Sequence, residues 1–243
     1  MKCIRNLVLA SSLVAPWTQT QAIELSDDFS LDLKASLLSD YRTRGISQTQ
    51  NDPALQGDAT LMHKSGLYAG IWSSNVDFSH GSRTRQEVDY YAGYWWQMSD
   101  DVALDVGYIK YAYPRQSDFN ASETVFILHA YGLLAGAQYS SDLYDTQSAL
   151  YSYLGYGTVL PYDIGLDVRY GLNDLKDPLF ISSSGHDRNS YHEWEVKVSR
   201  TLFDLNWALS YIDTDLSSTE CLNHTGFDDV CSATLVASVR KTL

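Results

Sequence analysis

From residue 29 onward, apolar and polar positions alternate with a period of two. Phe29, Leu31, Leu33, Ala35 and Leu37 stand against Ser30, Asp32, Lys34 and Ser36. Val88, Tyr90, Ala92, Tyr94 and Trp96 stand against Glu87, Asp89, Tyr91 and Gly93. The same rhythm returns at 102–108, 163–170, 193–198, 205–211 and 233–239. Such alternation is the mark of strands with one apolar face, since successive side chains of a strand leave on opposite sides. Further strand-like runs lie at 57–63, 66–78, 122–131, 133–140 and 148–159, which brings the total to about twelve. In 66–78 apolar residues fall on both parities, Leu67, Ala69 and Ile71 against Tyr68, Trp72 and Val76. A bulge there would reconcile the two sets.

The connections also alternate. Short ones are expected at 64–65, 98–101, around 132, at 160–162 and at 203–204. Longer ones are expected at 40–56, 79–84, 114–121, 141–147, 172–189 and 213–231. An even strand count with tight turns at one end and loops at the other predicts an all-β fold, an antiparallel up-and-down transmembrane β-barrel. Its short turns would be periplasmic and its longer loops outside. A secreted β-sandwich or a soluble lipocalin-type barrel would alternate too, with its apolar face turned inward. Aromatic placement favours the membrane barrel. Of 18 Tyr and 6 Trp, many sit near strand ends, among them Tyr41, Trp95, Trp96, Tyr108, Tyr111, Tyr113, Tyr170, Tyr191, Trp194 and Tyr211. Amphipathic rings there suit two girdles at headgroup level.

Residues 1–22 read as a signal peptide, with Lys2 and Arg5 before an apolar run at Leu7–Ala15 and a small-residue end at Thr20-Gln21-Ala22. The run is shorter than the roughly 20 residues a spanning helix needs. Residues 23–243 then form a single barrel domain, and export places it in the cell outer membrane.

Removing residues 1–22 takes two of the 17 basic residues and none of the 30 acids, leaving 15 against 30. So acidic a surface excludes nucleic acid as a partner, whose phosphates need Lys and Arg. Eight acids on the outer loops, Asp142, Asp145, Asp174, Asp177, Asp213, Asp215, Asp228 and Asp229, form a solvated face or bind divalent cations that bridge to lipopolysaccharide. Cys221 and Cys231 lie in one polar stretch, and an oxidising compartment favours a disulfide between them. A metal pair is the alternative, but no second Cys or His pair matches it, and no metal or cofactor is expected.

Residues 39–57, SDYRTRGISQTQNDPALQG, place two arginines in a polar run. With HKSGLYAGIWSSNVDF at 63–78, this block resembles the start of the TorF-type porins, the Gcw_chp family of small proteobacterial exported proteins. The resembling elements are Ser39–Gln48, Pro53–Gly57 and Lys64–Phe78, so the match is specific over roughly the first 60 residues after the leader. The resemblance implies a Gram-negative outer-membrane barrel that passes small solutes. It also implies lipid, lipopolysaccharide and the barrel-assembly machinery as partners. The ending SVRKTL departs from the terminal aromatic that such barrels carry. Oligomeric state is not specified.

If Leu33, Ala35 and Leu37 face lipid, parity sends Lys34, Ser36, Asp40, Arg42 and Arg44 toward the lumen. Lumen or selectivity candidates are therefore Lys34, Arg42, Arg44, Glu87, Asp89, Asp105, Asp167, Arg169, Glu193, Glu195 and Lys197. They would brace the interior as ion pairs or contact solutes directly. Gly45 would supply a bend, and residues 47–53 the first outer loop. An enzyme is not expected. His129, in FILHAYG, is the one mid-strand histidine, and no nucleophile or metal-hydrolase motif accompanies it. The function read from the chain is a channel for passive diffusion of small hydrophilic or ionic solutes through a charged lumen. The alternatives are a structural or adhesion barrel and, behind it, an outer-membrane hydrolase.

Overall fold

The structure is a computed structural model and describes residues 22–78, 82–143 and 147–243. The leader reading at 1–22 therefore lies almost wholly outside the described residues. Twelve antiparallel strands form the wall. They are β1 (Phe29–Leu38), β2 (Ala54–His63), β3 (Leu67–Asn75), β4 (Gln86–Gln97), β5 (Val102–Ala112) and β6 (Ala121–Ala130). They continue as β7 (Leu133–Leu143), β8 (Gln147–Leu160), β9 (Ile164–Leu175), β10 (Ser190–Leu202), β11 (Leu205–Thr214) and β12 (Thr234–Thr242). Each strand pairs with its neighbours in sequence, and β12 pairs back onto β1 from Ser238↔Leu38 to Thr242↔Lys34. The sheet therefore closes, which leaves no row of unpaired backbone groups along an edge.

Parity turns the leucines outward. Leu37, Leu55, Leu67, Leu133, Leu154 and Leu235 are all more than half exposed, while Asp32, Thr60, Asp89, Asp105, Asp167 and Glu193 are buried. A polypeptide that buries carboxylates and displays leucine is built for a solvent outside that is less polar than its own interior. The soluble barrel and the sandwich are thereby excluded.

The tight turns follow from backbone chemistry. Tyr131-Gly132 and Phe203-Asp204 each join two strands with both residues at positive φ, the twist that suits a two-residue hairpin. Tyr131, Tyr162 and Phe203 tip three of these turns and are strongly exposed, as rings at a headgroup boundary would be.

Four expectations are corrected. No bulge interrupts residues 67–75, whose register to β2 and β4 is continuous. Tyr68 and Trp72 are buried on the inner face instead. The aromatics Tyr41 and Tyr191 also lie inside rather than in a girdle, and Tyr111 donates inward to Glu123 at 2.8 Å. The connection expected at 141–147 is short, since β7 reaches Leu143 and β8 starts at Gln147. Asp142, Asp174 and Asp213 accordingly lie in strands, not in loops. Finally, one helix, α1 (Ser218–Thr225), stands in the last loop. Its signal was Ser217 followed three residues later by Glu220, a capping box that the structure forms in both directions.

Inner aromatics lie flat on glycines. A Cβ built on Gly70 would overlap the Tyr91 ring, and one on Gly136 would overlap Tyr153. Gly136→Val should therefore push Tyr153 into the lumen and destabilise the barrel by about 1–3 kcal/mol. The readout is the temperature at which the folded band is lost on gels. That band should run ahead of the boiled protein, as closed barrels do.

Candidate functional site

Sequence reasoning placed residues 47–53 in an outer loop and sent Arg42 and Arg44 toward the lumen; together residues 39–53 form the first loop. The structure folds it into the barrel. Asp40, just past β1, organises it by accepting from Arg42 Nε at 2.6 Å, Ser47 Oγ at 2.5 Å and Thr49 Oγ1 at 3.1 Å. A small hairpin, Arg42–Thr43 paired with Ile46–Ser47, turns at Arg44 and Gly45, both at positive φ. Gly45 is required there: a side chain would strike Thr214, and glycine takes φ +83° without strain.

The tip crosses the lumen. The Arg44 guanidinium reaches Glu123 on β6 at 2.6 Å and Gln138 on β7 at 2.9 Å, and sits 4.6 Å above the Tyr151 ring on β8. Its own carbonyl accepts from Tyr191 Oη on β10 at 3.0 Å. Arg42 does not reach the far wall. It is buried within the loop, donating to Gly45 O, Ser232 O and Asn51 Oδ1. The last loop (residues 215–233) backs this hairpin, since Ser47 N donates to Val230 O and Asn51 Nδ2 to Asp229 Oδ2.

The strand candidates all face inward, and most are paired. Lys34 lies 2.6 Å from Asp32 and 3.5 Å from Asp58. Arg169 bridges Glu193 at 3.0 Å and Glu195 at 3.2 Å, and Lys197 lies 3.5 Å from Asp167. Tyr151 donates to the same Glu193 at 2.5 Å, and Tyr68 donates to Asp105 at 2.7 Å. Glu87 and Asp89 are buried on β4, each with one carboxylate oxygen lacking a hydrogen-bond partner among the described residues. Bracing thus describes most of the cations. The acids Glu87 and Asp89 have no cation in ion-pair contact among the described residues.

Sequence reasoning missed Asp32, Asp58, Glu123 and Arg240. Asp32, Glu123 and Arg240 share the parity of polar positions already identified on their strands, so alternation carried the signal for them. His129 faces inward as expected and packs on Trp95, with ring centroids 4.9 Å apart. Among the described residues no cluster of His, Cys, Asp or Glu has a geometry that would hold a metal ion.

The lumen has two halves. On β2–β8 an apolar cluster occupies much of it, with Tyr68, Trp72, Tyr91, Ile109, Val125, Ile127 and Leu134, beside the buried acids Glu87, Asp89, Asp105 and Glu123. Opposite, under the first-loop hairpin, lies a cavity of about 130 Å³ lined by side chains of β1–β3 and β9–β12. Over the outer mouth, Ile46, Phe180, Tyr191, Leu216 and Val230 pack around the Cys221–Cys231 disulfide. The predicted disulfide thus locks the loop that backs the hairpin.

Outside the wall, Arg188 joins this cap to α1. It donates to Glu220 Oε1 at 2.7 Å and lies 3.1 Å from Asp215. Burial pushes the Glu220 carboxyl up, but Arg188 and the Ser217 hydroxyl and N–H outweigh it and hold it below its ordinary range.

A family model described as a bacterial protein of unknown function, Gcw_chp, matches residues 23–243. No curated protein matches the chain. One solved structure, described as "Unveiling the Mechanism Behind the in-meso Crystallization of Membrane Proteins", aligns at a TM-score of 0.52 with 10% identity. The alignment covers 87% of this chain and 83% of that one. A structure described as "KdgM porin" aligns at 0.49 and 9% identity, over 87% of this chain and 97% of the other. One described as the NanC porin aligns at 0.49 and 12%, over 87% and 98%. At 10% identity the first of these likenesses is one of fold alone.

Two outcomes follow for the cap. Because the folded pKa of Glu220 is depressed, its contribution is complete above its ordinary value of 4.5 and is lost as pH falls through the lowered one. Hydrogen exchange in residues 215–225 should therefore accelerate below about pH 4, and Glu220→Gln should abolish that dependence. Reducing the disulfide should remove about 3 kcal/mol of loop constraint. Protease should then cut near residue 229 and in the first loop, while the barrel band stays intact.

Proposed function

This chain belongs to the Gcw_chp family of bacterial proteins, and on that premise we propose that it is an outer-membrane channel for passive diffusion of small hydrophilic or ionic solutes. The TorF-type porin character implied by the motif at residues 39–57 is part of this proposal. One observation carries it: ionised side chains of alternate parity surround an open polar cavity inside a closed wall whose outer face is apolar. A wall that only spanned the bilayer could fill its interior with apolar side chains, as the cluster around Tyr68, Val125 and Leu134 does in part. Keeping buried charges is costly unless water or ions reach them. The short turns and the two ends of the described wall, Phe29 and Thr242, lie on the periplasmic side, with lipid and lipopolysaccharide around the wall. Assembly runs through the barrel-assembly machinery, and no catalytic step is assigned.

In this reading the first-loop hairpin is the constriction, and Arg44 is its fixed charge. A second reading, a structural barrel without transport, is favoured by the same hairpin, because it occupies the lumen between β6–β7 and β10.

Planar-bilayer recording separates the two. The channel reading expects stepwise conductance from folded protein. Arg44→Ser should raise the single-channel conductance and shift selectivity toward cations, since it removes a positive charge and leaves Glu123 exposed. Folded protein that leaves the bilayer silent, both as wild type and as Arg44→Ser, would establish the structural barrel.

A further inference from the structure

We propose that the cavity beneath the first-loop hairpin binds a small organic carboxylate and that Arg240 grips it. The inference deepens the channel reading and rests on it for how the solute arrives. Five cations border the cavity: Lys34, Arg42, Arg169, Lys197 and Arg240. Four are held by acids, at 2.6 Å from Asp32, 2.6 Å from Asp40, 3.0 Å from Glu193 and 3.5 Å from Asp167 respectively. Arg240 is different. Its Nε donates to Ser36 Oγ at 3.2 Å, and no carboxylate among the described residues lies within 4.0 Å of it.

That leaves Nη1 and Nη2 of a wall-mounted guanidinium without a hydrogen-bond acceptor among the described residues. A guanidinium presents a rigid fork of N–H donors, and the matching acceptor is a group with two coplanar oxygens. Position is secured by the ladder, in which Arg240 stands directly opposite Ser36. The acids that also border the cavity are already engaged. Asp58 accepts from Tyr91 Oη and Thr60 Oγ1, and Glu195 pairs with Arg169. Asp58 and Asp32 attract Arg240 through space but neither pairs with it, so its fork stays open to a carboxylate from outside.

The rest of the cavity sets the body of the ligand. Leu38, Trp72, Ile212 and Val236 give it an apolar flank, suited to a hydrocarbon tail attached to the carboxylate. Its volume of about 130 Å³ is close to that of an engineered cavity of about 150 Å³ that holds benzene. The occupant is thus a single small acid.

The test uses the folded full chain in detergent, with propionate as the probe and choline as the cation control. Ligand-observed NMR should show saturable propionate binding and none for choline. Arg240→Gln should weaken it about tenfold or more, as loss of a charge-assisted fork does. Ser36→Asp should do the same, because it keeps the arginine but supplies a carboxylate across the ladder. If Arg240→Gln fails to fold, shown by loss of the fast band on unheated gels, Ser36→Asp decides alone. Wild-type affinity in the folded variants, no saturable propionate signal in the wild type, or equal binding of choline would overturn the site.

Conductance in potassium chloride separates this from the channel reading. Variants that conduct yet bind propionate like the wild type overturn the carboxylate site and leave the channel standing. A silent bilayer with Arg240-dependent propionate binding keeps the site and overturns the channel.

Discussion

A strand in hydrocarbon has no water to satisfy its N–H and C=O groups, so the sheet must close on itself. The pairing of β12 with β1 achieves this, and every other property of the molecule depends on it. Closure divides the side chains into two populations with no exchange between them. One set meets lipid and must be apolar. The other is sealed from lipid and free to carry charge.

The sealed population has been used in two ways. On β2–β8 it packs like a protein core, with tyrosine rings laid over glycines on the neighbouring strand. On β9–β12 and β1 it stays polar, and its cations other than Arg240 are matched to acids two residues away or one strand over. The first loop sits at the border between the two regions. Asp40 stiffens it, and the disulfide-locked last loop holds it in place through Val230 and Ser232.

Alternation made the wall legible in advance. Each segment where Leu, Val and aromatic residues kept one parity became a strand with that parity outward, as in β1, β5 and β11. The reading failed where both parities were apolar. At residues 67–75 it suggested a bulge because Tyr68 and Trp72 were taken as belonging to the lipid face, whereas they fill the inner one. The same bias assigned Tyr41, Tyr111 and Tyr191 to a girdle. A ring inside a barrel has the same composition signal as a ring at its rim, and parity alone distinguishes them. The arginine block was recognised as important, but not its geometry. That required the cross-lumen partners Glu123 and Gln138, 79 and 94 residues away in sequence, which no local pattern reveals.

Arg44 has a mechanical consequence as well. The hairpin that carries it springs from β1, on one side of a thin-walled tube of twelve strands, and its side chain is fastened to the opposite side, β6 and β7, through Glu123 and Gln138. Lateral pressure in a bilayer tends to flatten such a tube into an ellipse. A crossbar that joins facing walls resists that flattening, so the residue that narrows the bore also keeps its cross-section round.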